Sequence, residues 1–191
     1  MKTSIPASNN FCPETLFLYG TYREDGGANF GTFSWFSYCW DGQLGAMACI
    51  GGAKLTRDRI AATKVFSANL VTEELLPLAD HFGTTEGYNP DKMNVEAEIE
   101  TGSVLRVPVL TRSPWVFELE VARTIALEGA ELYLCHIRNT LAEAFLCDET
   151  RSVQERFSLI RPVRAANGTY FSWDGRVMGV WGEPKKSVRR R

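Results

Sequence analysis

The sequence predicts a mainly β fold, either a sandwich or a closed barrel, with few and short helices. Three observations carry this. Asp25-Gly26, Asp41-Gly42, Gly129 and Asp174-Gly175 interrupt runs rich in Val, Phe, Tyr, Trp, Ile and Thr, as hairpin turns do. Helical periodicity is confined to three short stretches. A chain of 191 residues with 45% hydrophobic content buries one sizeable core, so one domain is expected over residues 1–184, followed by a basic tail at 185–191.

Strands are predicted at residues 16–22, 29–38, 44–50 and 64–71, and a second set at 115–127, 131–142 and 168–181. Both candidate architectures bury one sheet face and remove or shorten exposed edges. Ser152-Val153-Gln154-Glu155 is a capping box, followed by Phe157 and Ile160 at helical spacing and stopped by Pro162, so it opens a short helix. Residues 56–63 form another turn or two. The segment 72–82 is helical in pattern, but Pro77 requires that the helix either begin near Leu76 or kink. Residues 83–109 are polar and turn-rich without a strong period, which reads as a long surface excursion of the kind that serves as a lid or partner contact. Asn167-Gly168-Thr169 is the turn before the last strand.

Composition excludes several function classes. The net charge of −2 hides a basic tail of five Lys and Arg without an acid. The rest of the chain holds 16 of the 21 bases and all 23 acids, a balance of −7. An acidic body argues against a nucleic-acid groove. No stretch reaches the roughly 18 apolar residues of a membrane span, and the first residues lack the apolar centre of a secretory signal. A cytoplasmic protein without membrane contact is the expectation. The five cysteines show no CxxC pair, and Cys39, Cys49 and Cys135 sit in apolar runs that read as buried thiols. With two histidines in all, no metal-ligand cluster is expected.

Catalytic motifs are absent: no GxSxG, HExxH, P-loop or helix-opening GxGxxG occurs. His81 ends a helical segment. His136 follows Cys135 on a strand, where neighbouring side chains point to opposite faces, so the two form no dyad. No catalytic acid, base or nucleophile is assigned.

What stands out is NFGTFSWFSYCWDG, from Asn29 to Gly42, an aromatic strand interleaved with small hydroxyl residues. Neither alternate set is uniformly apolar. The pattern suits a planar heteroaromatic ligand with a phosphate tail; equally, the aromatics pack a core while the hydroxyls satisfy one another. In the following IGGAKLTRDRIAAT, Gly51 and Gly52 permit close backbone approach. Lys54 and Thr56 add a charge and a hydroxyl beside a helix start, the materials of a phosphate site, whereas Arg57 and Arg59 read as solvated.

These segments, with RIAATKVFSANLVTEELLPLADHFG and the DKM of Asp91 to Met93, resemble the flavin reductase-like family of FMN-binding split barrels, which includes flavoredoxins. The resemblance implies a Greek-key split β-barrel with a few short peripheral helices. It implies a homodimer with one FMN per subunit near the subunit interface, reduced by NAD(P)H or another donor. Carried over, Asn29, Thr32, Ser34 and Trp35 would contact the isoalloxazine or ribityl chain, with Gly51 in the adjoining loop. Lys54 and Thr56 would hold the phosphate, and Ala68, Asn69 and Leu70 would offer a strand edge beside the ring. Hydride and electron chemistry then belongs to the cofactor, and no protein acid or base is required.

One departure bears on activity. Many nicotinamide-using members carry a Gly-x-His late in the barrel, whereas here Gly129 is followed by Ala130 and Glu131, and His136 falls several residues too late. An FMN-dependent NAD(P)H oxidoreductase, serving flavin or a small acceptor, is the first expectation. A flavoredoxin-type electron carrier with a redox-protein partner is the second, and a flavin-free barrel the third.

Overall fold

The chain crosses from one edge of a seven-stranded sheet to the other in only two residues, and that crossing closes the sheet into a barrel. The computed structural model describes residues 2–174. Its strands are β1 (Glu14–Thr15), β2 (Phe17–Tyr22), β3 (Ala28–Phe33), β4 (Phe36–Trp40), β5 (Leu44–Gly51), β6 (Val65–Leu70), β7 (Ile99–Thr101), β8 (Pro108–Leu110), β9 (Trp115–Leu127), β10 (Ala130–Ala142), β11 (Val163–Ala166) and β12 (Thr169–Ser172). The helices are α1 (Leu55–Thr63), α2 (Leu76–Thr84) and α3 (Val153–Ile160).

The large sheet is antiparallel, in the order β3-β2-β6-β9-β10-β5-β4. Laid flat, its outer strands would stand about 29 Å apart at 4.8 Å per step. Yet Ser34 and Trp35 alone join β3 to β4, a reach of roughly 10 Å. The ring of Phe17 on β2 meets that of Phe36 on β4, with centroids 4.5 Å apart, across the closed interior. The predicted single strand over 29–38 is therefore broken at Ser34–Trp35. There the Phe36 N–H turns back to the Ser34 carbonyl at 2.8 Å, and Trp35 accepts from the Cys49 N–H at 3.0 Å.

Inside the barrel lie Phe17, Tyr19, Phe66, Phe117, Leu119 and Tyr133, with Ala46, Ala48 and Ala68 as the small partners that let the rings fit. Ile60 of α1 reaches this cluster and plugs one mouth. A second apolar layer forms outside the barrel wall, where Leu16, Leu18, Phe30 and Leu110 pack against Leu75, Ala79 and Phe82 on and beside α2. β2 is thus buried on both faces, and the two layers take rings from both alternate sets of the aromatic strand, Phe30 in the outer layer and Phe33 against the inner one.

The capping box opens α3: the Ser152 hydroxyl accepts from the Glu155 N–H at 3.2 Å, and the Glu155 carboxylate accepts from the Ser152 N–H at 2.8 Å. α2 begins at Leu76, with Pro77 in the first turn where its missing N–H is harmless. β11 is an addition to the predicted strands, and pairs β1 on one side and β12 on the other. The predicted strand 168–181 is seen as β12, which ends at Ser172, so Trp173 and Asp174 are not strand; residues 175–181 and the basic tail 185–191 lie outside the described residues. Of the cysteines expected to be buried, only Cys135 is, because Cys39 and Cys49 point out of the barrel wall; among the described residues all five are free thiols.

The excursion 83–109 is more ordered than its composition suggests. A 3-10 turn (Pro90–Met93) is capped by Asn89, and β7 and β8 form a hairpin. Buried polar groups fasten it to the barrel. Asn69 donates to the Leu18 carbonyl and accepts from the Leu110 N–H, both at 2.9 Å. Gly20 has no side chain because a Cβ there would stand 2.5 Å from the Pro108 carbonyl oxygen, so β8 could not approach. The fully buried Glu118 carboxylate accepts from the N–H groups of Ser103, Val104 and Leu105 at 2.9, 2.9 and 2.5 Å, and from Asn139 at 2.7 Å.

Burial alone would raise the Glu118 carboxyl, but these four donors outweigh it and hold the group below its ordinary value near 4.5. A depressed folded value means that Glu118 stabilises the fold above the ordinary carboxylate range, and that this contribution is lost as pH falls through the lower, folded value. Glu118→Gln, which turns an amide N–H₂ toward N–H donors, should cost about 3 kcal/mol in urea unfolding at pH 7 and much less at pH 3. An equal cost at both pH values would refute this role.

Candidate functional site

The site is built around the start of α1, which follows the Gly51-Gly52 turn. Gly52 sits at φ 71° and donates to the Gly129 carbonyl at 2.8 Å, tying this turn to the β9–β10 hairpin. Lys54 is the extended N-cap residue and supplies no side-chain cap. The first intrahelical bond runs from the Asp58 N–H to the Lys54 carbonyl at 3.1 Å, so Leu55, Thr56 and Arg57 present N–H groups without a helical acceptor. Such an end favours negative charge.

Lys54, Thr56, Thr32 and Lys92 line one depression between α1, β3 and the end of α2. Lys92 is only 4% exposed. It sits on the 3-10 turn, its carbonyl 2.9 Å from the His81 ring, and its ammonium lies 5.9 Å from the Phe82 ring centre. Burial lowers its pKa to about 8, with Glu86 acting upward and Lys54 downward. Lys54 pairs loosely with Glu86 at 3.6 Å, and both are substantially exposed, so this ion pair contributes little. Two ammonium groups thus share one carboxylate beside a helix N-terminus, an arrangement that calls for an anion.

Asn29 is buried behind this depression, donating to the Thr21 and Thr56 hydroxyls at 3.2 and 3.1 Å; its own carbonyl has no donor among the described residues. Because Thr56 accepts from Asn29, its own hydroxyl hydrogen is free to donate. Thr32 is differently committed: its hydroxyl donates to the Ala79 carbonyl at 2.5 Å and holds α2 on the barrel.

The other predicted positions disperse. Ser34 and Trp35 form the barrel corner, where Trp35 is 51% exposed, and Gly51 lies exposed on the rim. Ala68 is inside the barrel, Asn69 is spent on internal hydrogen bonds, and Leu70 lines a separate cleft at the opposite mouth. The expected strand edge at Ala68 to Leu70 is not an edge: β6 is central, paired with β2 on one side and β9 on the other. Arg59, read as solvated, instead donates to the Tyr22 carbonyl at 3.0 Å and pairs with Glu24 at 2.8 Å. Lys92 is the residue that sequence reasoning passed over. Its lysine stood in the DKM stretch, but no local pattern reveals that the excursion folds it inward.

Fold and site together define a closed β-barrel with an anion-ready helix end on its rim. The chain belongs to the flavin reductase like domain family, whose model matches residues 9–153. Solved structures agree with the split-barrel fold. The flavoredoxin of Desulfovibrio vulgaris (Miyazaki F) is 20% identical with a TM-score of 0.84, covering 97% of this chain and 100% of its own. The flavoredoxin of Methanosarcina acetivorans is 19% identical with a TM-score of 0.83, covering 97% and 99%. An FMN-binding protein of Thermus thermophilus is 18% identical with a TM-score of 0.75, covering 94% and 97%. No curated protein sequence matches the chain.

A buried ammonium without a close counter-charge penalises the ligand-free fold. Since the folded value near 8 is below the ordinary 10.5, the penalty is fully present below about pH 8 and vanishes as pH approaches 10.5. Lys92→Met should therefore melt above the ligand-free wild type at pH 7, with the gap closing toward pH 10. Calorimetric Tm values that keep a constant gap would contradict this.

Proposed function

We propose that this chain is an FMN-binding flavoprotein that moves electrons from NAD(P)H to flavin or a small acceptor. The observation that carries the cofactor reading is the buried Lys92 facing Lys54 across the start of α1. Lys54, Lys92, the free hydroxyl hydrogen of Thr56 and the α1 N–H groups fit a phosphate monoester. The Ser34-Trp35 corner and the Gly51 rim offer hydroxyl, indole and backbone for a flavin ring. When bound, the flavin supplies the hydride and electron chemistry. The protein's part is to bind, orient and exclude water, which agrees with the lack of an assigned acid or base.

Trp35, Tyr38, Trp40 and Leu44 are exposed around β4 and β5, and Ile125 and Leu127 at the end of β9. This apolar surface supports a homodimer; a monomeric mass in sedimentation equilibrium would exclude it. No helix among the described residues is long and apolar enough to cross a membrane, and a cytoplasmic setting suits the reading.

A second reading has its own observation. Gly129, the turn residue bonded to Gly52, is followed by Ala130 and Glu131 at the start of β10, while His136 lies farther along that strand, in register with Gly45 and Glu120. A carrier that passes electrons to a redox protein, without direct use of NAD(P)H, fits that arrangement.

Lys54→Ala should weaken FMN by at least tenfold while leaving riboflavin affinity within about twofold. FMN affinity should also fall above about pH 8, because the ligand-free Lys92 is then neutral and must take up a proton to pair with phosphate. Equal losses for FMN and riboflavin, or a flat pH profile, would remove these residues from the site. Anaerobic mixing of the yellow protein with NADH or NADPH separates the two readings. Bleaching near 450 nm within seconds supports the reductase, and flavin that stays oxidised for minutes supports the carrier.

A further inference from the structure

The barrel mouth opposite α1 opens into a cleft of about 680 Å³. Small-molecule sites have volumes of roughly 300–1,000 Å³. Phe17, Phe36 and Trp115 form its floor, and Phe157 of α3 and Trp173 its outer wall, with these last two rings edge to face at 5.0 Å. None of its lining residues belongs to the Lys54–Lys92 depression.

Its polar groups are few and of one predominant sign. Arg156 and Arg164 face a single lining carboxylate, Glu14. Arg164 stacks its guanidinium 5.3 Å over the Trp173 ring. Arg156 is braced by one arm, Nη1 donating to the Leu146 carbonyl at 2.9 Å. Its Nε is buried and has no hydrogen-bond partner among the described residues. That nitrogen is closed to solvent, so what Arg156 offers a molecule in the cleft is the rest of its guanidinium charge, and a carboxylate is the group such a charge holds best. Aromatic walls in turn suit a flat apolar body.

We propose that this cleft binds a planar aromatic carboxylate, its ring held between the aromatic walls and its carboxylate accepting from Arg156. The occupant is a small molecule because the positive charge of Arg156 and Arg164 sits at an aromatic cavity of ligand size. The site stands whether or not the flavin reading holds, since no residue lines both.

Isothermal titration of the full-length protein with 2-naphthoate and with 2-naphthalenemethanol tests this. The acid should bind at least tenfold more tightly than the alcohol, and Arg156→Gln should bring the acid down to the level of the alcohol. Bound FMN, followed by its absorbance near 450 nm, should stay in place throughout, and protein that carries no flavin should show the same preference. Equal affinities, no binding of either probe, or a preference that survives Arg156→Gln would overturn the proposal. Release of FMN by naphthoate would overturn it too, since the cleft would then belong to the flavin. An affinity that falls as protein concentration rises would show a second copy filling the cleft, with the same consequence. Because Arg156 also braces α3, the acid-to-alcohol ratio in the unaltered protein decides the matter should Arg156→Gln fail to fold.

Discussion

The two-residue corner at Ser34 and Trp35 is the constraint on which the rest of the molecule depends. It joins strands that occupy opposite edges of the sheet, and so requires the sheet to close. Closure gives the aromatic side chains of β2, β3, β4 and β9 a common interior, and leaves the barrel with two mouths that need different solutions. One is plugged by Ile60 of α1. For α1 to serve as a plug its N-terminus must emerge at the rim, where its unpaired N–H groups meet Lys54. The anion-ready depression is thus a by-product of how the barrel end is sealed. The other mouth is bordered by α3 and Trp173 and stays hollow.

A barrel alone would leave Lys92 in solvent. What buries it is the excursion between α2 and β9, and that segment is held by polar groups rather than by apolar area. Asn69 and Glu118 lie in the interior of central strands and reach outward to the backbone of β8 and of the 103–105 loop. Each satisfied bond contributes only about 1 kcal/mol net, but leaving one of these buried groups unpaired costs more. The excursion is therefore specified more sharply than its turn-rich composition suggests. Thr32 does the same for α2 through the Ala79 carbonyl.

This explains what was legible in the sequence and what was not. The β9 and β10 runs, the capping box at Ser152 and the proline-limited start of α2 are local signals, and the structure follows them within a residue or so. The break at Ser34-Trp35 was invisible because both halves share the same composition and only a tertiary event, the change of sheet edge, separates them. Asn69 enters the expected site only through the family resemblance, and nothing local in its strand shows that its amide is spent on Leu18 and on the distant β8. Cys39 and Cys49 looked buried because an apolar run does not reveal which face turns inward when a sheet has two covered faces. Lys92 could not be ranked, since burial of a single lysine depends on the whole excursion above it.

The charge arrangement that results has a direction. In the ligand-free protein Lys92 sits in apolar surroundings, with Phe82 below it and Lys54 adding repulsion, while Glu86 offers only a loose and exposed counter-charge. The Lys54–Glu86 pair gives up little when it is broken, because exposed ion pairs are weak. Under the proposed reading, a phosphate dianion would relieve the cost of the buried Lys92 charge, and that relief would add to its affinity. Unfavourable burial in the ligand-free fold and the proposed affinity for phosphate would then have one origin, the Lys92 ammonium.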